Sequence, residues 1–200
     1  MQAEFTVELG ADDDSLEVPW ASEDGALRYY DLRRQPELLL NIEEAHHNRE
    51  LGEFLSAINS GWSVLETAKC DIWASAEMSE EESVYGAAWK FGSYVDLIFT
   101  EPAPRLEFEA HEEFAGRAAE LLRRVPEIPA AAEFVVRRCT YHPEEPRATA
   151  HVGYCVTFYL YGYGDDESDA RRRWGIAMKV VENALLQLSA AQRKAAARGR

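Results

Sequence analysis

The stretch His151-Val152-Gly153-Tyr154-Cys155-Val156-Thr157-Phe158-Tyr159-Leu160-Tyr161-Gly162-Tyr163 decides the fold. It alternates with a period of two, which is the signature of a β-strand. Val152, Tyr154, Val156, Phe158 and Leu160 fall on one face, and Cys155, Thr157, Tyr159, Tyr161 and Tyr163 on the other. A strand that shelters only one face would be polar on its second, and this one is aromatic on both. The run 148–163 is much longer than the usual strand of about five or six residues, so it implies a strongly twisted or bulged sheet. Gly153 and Gly162 are its natural bend points.

Working outward, 132–141 supplies the hairpin partner, and helix 108–125 precedes it. Phe108, His111, Ala115, Ala118, Leu122 and Val125 form that helix's apolar stripe, with acids early, Arg123 and Arg124 late, and Pro126 beyond. Helix 168–189 follows the hairpin and shows Trp174, Ala177, Val181, Ala184, Leu185 and Leu188 at helical spacing. The same order occurs upstream, with helix 51–60 and then strands 68–77 and 84–99. Placed 67 residues apart, 84–94 and 151–161 match at Gly86/Gly153, Phe91/Phe158 and Tyr94/Tyr161. Identity at so few positions carries little, and the repeated order of elements is what suggests an internal helix–hairpin duplication.

Residues 3–9 read as a short strand and 10–25 as an acidic loop that Trp20 pins to the body. A second short strand is expected over 27–32. Pro36 opens a helix that breaks around His46–Glu50 and resumes with Leu51, Phe54, Leu55 and Ile58, ending at Ser60-Gly61. The expected class is therefore α+β, with a long-stranded, strongly twisted antiparallel sheet and helices mainly on one face. From Leu27 to Tyr141 the order β-α-β-β-α-β follows the ferredoxin-like plan, with an extra strand and helix beyond it. That analogy concerns topology and carries no function. Residues 1–190 are expected to form one domain, with 1–26 as an acidic arm and 191–200 as a basic C-terminal tail or helix end.

Composition removes several functions. The chain carries 21 basic and 36 acidic residues for a net charge of −15, a surface that repels phosphate backbones and argues against nucleic acid as a partner. No apolar run approaches the roughly 20 residues that span a bilayer, and residues 1–14 lack the Lys and Arg of a secretory or transit segment, so no membrane partner is expected. The 3 cysteines are widely spaced with no C-x-x-C, as in a reduced, cytoplasmic protein.

Two clusters are candidate sites. Glu43, Glu44, His46 and His47 place carboxylates and imidazoles at helical i,i+3 and i,i+4 spacing, the unit that di-iron bundles use. Glu43, His46 and His47 are the metal candidates, but the second Glu-x-x-His that such a site needs is missing, and a solvated corner is the plainer reading. Cys70, Cys139 and Cys155 with His142 and His151 lack the tight ligand spacing of structural zinc and read as buried hydrophobes. No Gly-x-Ser-x-Gly and no glycine-rich phosphate loop occurs, and both expected hairpin tips, around Glu80–Glu82 and Glu144–Glu145, are acidic.

The second cluster is the row Tyr159, Tyr161 and Tyr163 with Tyr94, which offers the apolar area and hydroxyls found at interfaces. The reading that follows is a non-catalytic binding or assembly protein, self-associating or docking another protein through this face, with no cofactor. The alternative is a small-molecule enzyme or ligand-binding protein whose pocket lies between the sheet and the C-terminal helix, with a metal as one option.

Overall fold

The computed structural model of the chain describes residues 1–10, 13–79, 82–143 and 149–198, with the side chains of Ser83 and Val84 also outside the description. Glu80, Glu81, Glu144 and Glu145 of the expected hairpin tips lie outside it. The elements run β1 (Gln2–Glu8), β2 (Leu16–Val18), a 3₁₀ turn (Pro36–Asn41), α1 (Glu43–His47), α2 (Arg49–Ile58), β3 (Leu65–Ser75), a second 3₁₀ turn (Glu82–Tyr85), β4 (Trp89–Phe99), α3 (Pro102–Arg105), α4 (Phe108–Arg123), β5 (Ala130–Tyr141), β6 (His151–Gly164) and α5 (Glu167–Arg198). Among the described residues this is an α+β fold on one sheet of 6 strands in the order β1-β5-β6-β4-β3, with β2 also on β5.

The sheet is mixed, not wholly antiparallel. β3, β4, β6 and β5 pair antiparallel, as their hairpin patterns predict, whereas β1 and β2 lie end to end along β5 and run parallel to it. The strand expected over 27–32 does not form; it contributes one bridge, Ala21 with Arg28. Ser22 and Asp24 draw this segment into a local turn instead, the Ser22 hydroxyl bonding Asp24 at 2.6 Å and the Leu27 amide donating to it at 3.0 Å. The first strand of the ferredoxin-like plan is therefore missing. The helix–hairpin order does recur, as α2-β3-β4 and α4-β5-β6, but the duplication itself is not established. Its Gly86/Gly153 match has no common cause: Gly86 takes a left-handed turn with φ +60° before β4, whereas Gly153 lies within β6 against the carbonyl of Arg105.

The core lies between the sheet and the helices, α5 resting on β6 and β4. α5 comes so close because Gly162 has no side chain: a Cβ there would stand 2.3 Å from the Trp174 amide nitrogen and 2.4 Å from the Ala170 carbonyl. The Trp174 ring then meets Phe91 edge-on at 5.1 Å and its indole N–H donates to Ser93 at 2.9 Å. Phe158 stacks on Phe134 at 5.1 Å and touches Phe54 of α2 at 5.9 Å. Rings this buried contribute about 1.5–3 kcal/mol each by leaving water. Between α5 and β4 the Trp174 ring thus fills the space under the C-terminal helix. α5 also continues through the basic stretch to Arg198, past its last buried residue, Ser189.

Candidate functional site

The opposite face of the sheet is covered only in part. At one end Leu16 and Val18 of β2 and Tyr29 of the arm pack with Ala68, Ile98, Cys139, Tyr141 and Cys155. Trp20 fixes the arm, as its sequence position suggested, its indole donating to the Ala68 carbonyl at 2.7 Å. The other end carries the tyrosine row.

Register builds that row. Tyr159, Tyr161 and Tyr163 alternate along β6, and β4 brings Tyr94, Gly92 and Lys90 opposite them in that order. Tyr94 meets Tyr159 at 6.0 Å. Gly92 leaves room for Trp73 of β3, whose indole would stand 2.6 Å from a Cβ at that glycine and which meets Tyr161 edge-on at 6.0 Å. Tyr159 and Tyr161 lie with centroids 6.5 Å apart and planes 1° from parallel. Tyr94, Tyr159, Tyr161 and Trp73 are all half-buried. Tyr163 differs: at 2% exposure it is not open surface, because Tyr85 stacks on it at 4.1 Å and its hydroxyl donates to Glu82 at 3.1 Å. Three of the four predicted tyrosines therefore form the open row and the fourth closes its end.

Cations and carboxylates frame the rings. Lys90 bonds both oxygens of Glu82 at 3.0 and 2.9 Å while its ammonium sits 5.8 Å from the Tyr161 centroid. Burial would raise the Glu82 pKa, but the Ser79 amide, the Lys90 ammonium and the Tyr163 hydroxyl outweigh it and hold the carboxyl below its ordinary range. On the other flank Arg137 donates to Glu8 at 2.9 and 2.7 Å and to the Tyr159 hydroxyl at 3.1 Å. Glu4 and Glu133 are register neighbours on this flank. A cavity of about 750 Å³ opens here, lined among others by Glu4, Glu82, Tyr85, Lys90, Glu133 and Tyr161.

Tyr161 and Tyr94 are unsuited to acid–base work near neutrality. Burial, then the charges of Tyr159, Glu133 and Glu82, pushes Tyr161 up to about 12, and burial followed by Asp96 and Asp71 raises Tyr94 as well. Burial also pushes Asp96 up to about 6 against the 2.6 Å bond from Thr157, but Asp96 is 6% exposed and does not line the cavity. The arrangement offers neutral rings, hydroxyls and paired charges, which is recognition chemistry.

The metal candidates point elsewhere. His46 Nε2 faces the Leu40 carbonyl at 2.5 Å and His47 Nδ1 the Glu43 carbonyl at 3.0 Å, so each imidazole has a ring nitrogen tied to backbone. Among the described residues no three His, Cys, Asp or Glu side chains converge as a metal site would need. The three cysteines are free, with Cys139 and Cys155 buried under the arm. Burial pushes the Cys70 thiol up to about 12. A groove of about 610 Å³ beside His46, between α2 and α5, is lined by Arg49, Glu53, Lys179 and Glu182, which pair with one another at 2.8 and 2.6 Å. His111 is a packed core histidine, its Nδ1 donating to the Glu107 carbonyl at 2.8 Å.

Trp73, Lys90, Arg137 and the Glu4/Glu133 pair were not singled out from the sequence. The hairpin register holds the signal for Trp73, since a bulky ring opposite a strand glycine is a recurrent pairing. Among the described residues no helix is long and apolar enough to cross a membrane. No protein family, curated protein or solved structure matches this chain.

Proposed function

We propose that this protein is a non-catalytic assembly protein that self-associates, the tyrosine row of one copy receiving the basic end of α5 from another. The observation that carries this is the half-exposed row itself, left open on a face whose other end the chain's own arm covers. Tyrosine and tryptophan at such a position supply contact area at low entropic cost. Charge selects the occupant. Residues 190–200 hold four basic residues and no acid, and Lys194 and Arg198 stand exposed on α5. The helix runs nine residues past Ser189, about 13 Å at helical rise; Arg193 bonds the Gly61 carbonyl of its own body, and Arg198 lies more than a turn beyond that contact. The acidic flank of the row, with Glu4 and Glu133, has the complementary sign. A reciprocal pair of such contacts closes as a two-fold dimer.

Light scattering on the full chain across a concentration series tests this. The expected result is a dimer that weakens with salt, and that Tyr159→Ala, Tyr161→Ala or the charge reversal Lys194→Glu with Arg198→Glu shifts toward monomer. A strict monomer at high concentration, or a dimer indifferent to both sets of changes, overturns it.

A further inference from the structure

We infer that Tyr159 and Tyr161, with Glu133 and Glu4 beside them, form a receiving slot for an arginine guanidinium, supplied in the assembly by Arg198 of a second copy. This rests on the self-association reading and names the chemistry that the contact recognises. Three observations converge on it.

The first is ring geometry. Tyr159 and Tyr161 stand with planes 1° from parallel and centroids 6.5 Å apart, a repeat of about two residues of strand rise, and together they offer a continuous aromatic edge for a planar cation to lie against. The neighbouring positions are already used: Tyr85 stacks directly on Tyr163 at 4.1 Å, and the Lys90 ammonium sits over Tyr161 at 5.8 Å, reaching from its register position opposite Tyr163.

The second is charge. The β1/β5 register sets Glu4 directly beside Glu133, and β5/β6 sets Glu133 directly beside Tyr159, all on one face. Like charges opposite each other on a sheet are destabilising. Glu133 accepts a 3.1 Å bond from the Thr6 hydroxyl, and among the described residues neither carboxylate has a cation partner. The basic groups nearby are committed: Arg137 to Glu8, Lys90 to Glu82, Arg123 to the Ala3 carbonyl at 2.7 Å, and the Met1 ammonium to the Pro126 carbonyl at 3.3 Å. A cation is what this corner lacks.

The third is an internal precedent. The Arg137 guanidinium lies 5.6 Å from the Tyr159 centroid while bonding the carboxylate of Glu8. Tyr159, through its ring and a 3.1 Å bond to its hydroxyl, and a carboxylate thus already hold one guanidinium here, and the slot offers the same kinds of group on the Tyr161 side. A planar, weakly hydrated guanidinium stacks on aromatic rings and forks onto a carboxylate, which a compact ammonium cannot do equally well.

Calorimetric titration of the full chain, at concentrations where it is monomeric, with tetra-arginine amide and tetra-lysine amide tests the slot. The two peptides carry equal charge, so a surface that reads charge alone binds them alike. The expected result is a preference of roughly fivefold for the arginine peptide, from stacking on the rings. Tyr159→Ala with Tyr161→Ala removes the preference and leaves the lysine affinity within about twofold, while Glu133→Gln weakens both peptides. Tyr159→Phe keeps the preference because it keeps the ring. Should the double variant unfold, Tyr159→Leu alone makes the same test, filling space without a π face. Equal affinities, or a preference that Tyr159→Leu leaves intact, overturn the slot. A dimer that loses assembly on tyrosine replacement yet shows no arginine preference would sink the slot and leave self-association standing. A strict monomer with the preference would do the reverse.

Discussion

Glu4 and Glu133 sit side by side across the parallel pairing of β1 with β5, two carboxylates on the face that carries the tyrosine row. The Thr6 hydroxyl bonds Glu133 at 3.1 Å, and beyond that the repulsion is lowered by bending toward water or by meeting a cation. Glu4→Gln is therefore expected to stabilise the isolated chain by a few tenths of a kcal/mol, an effect that shrinks with added salt. Urea denaturation at low and moderate ionic strength measures it, and a loss of stability would show that Glu4 has a favourable partner.

Asp96 makes stability depend on pH. Its carboxyl ordinarily titrates near 3.8 and burial holds it at about 6 in the fold. The folded state therefore keeps its proton longer than the unfolded chain does. Its contribution is fully present below about 3.8 and is lost as pH rises through about 6. Asp96→Asn, which retains an acceptor for the Thr157 hydroxyl, should be more stable at neutral pH by about 3 kcal/mol at most and should flatten the stability profile between those limits. Chemical denaturation at pH 4, 5, 6 and 7 decides; parallel profiles for the two proteins would refute the assignment.

Gly162→Ala should be among the most damaging single-methyl changes in the chain. The new carbon would press on the backbone of α5, which cannot swing aside as a side chain can. A loss of about 3 kcal/mol or more, seen as a lowered urea midpoint or as insoluble protein, is expected. Gly61→Ala, with nothing within 4 Å of its new carbon, is the control and should cost much less.

Gly92→Ala tests the support of the row. The added methyl would lie 2.6–2.8 Å from the Trp73 indole, which is only half-buried and can move. The expected outcome is a displaced indole with a stability loss of about 1 kcal/mol and a changed tryptophan emission. The emission change should vanish when Trp73→Phe is the background. An unchanged spectrum would mean that the indole does not rest on Gly92.

The sequence displayed β6 and its partners well because period-two alternation is a local property, readable residue by residue. What β1 pairs with is not local. Ala3 and Phe5 announce a strand, but the arginine that Glu8 meets is 129 residues away, and nothing near Glu8 states the direction of pairing. Residues 27–32 have strand-forming side chains, yet Ser22 and Asp24 claim the adjacent amides for a turn, and local side-chain bonding won. The basic stretch after Ser189 reads as a tail by charge, but Ala190, Ala191, Ala195, Ala196 and Ala197 are the strongest helix formers available, and the helix continues. For the candidate site, Tyr159, Tyr161 and Tyr163 followed from β6 alone. Trp73, Lys90 and Glu133 required the registers of three other strand pairs.

The placement of β1 and β2 along β5 has a consequence for how the chain matures. β1 and β2 have no docking edge until residues 130–141 have been synthesised, so they wait through the making of the intervening chain with Ala3 and Phe5 exposed. Long-range closure of this kind slows folding, and the exposed edge of β5 stays vulnerable to rival strands until it is capped. β1, made well before its partner, is thus among the last strands to find its place.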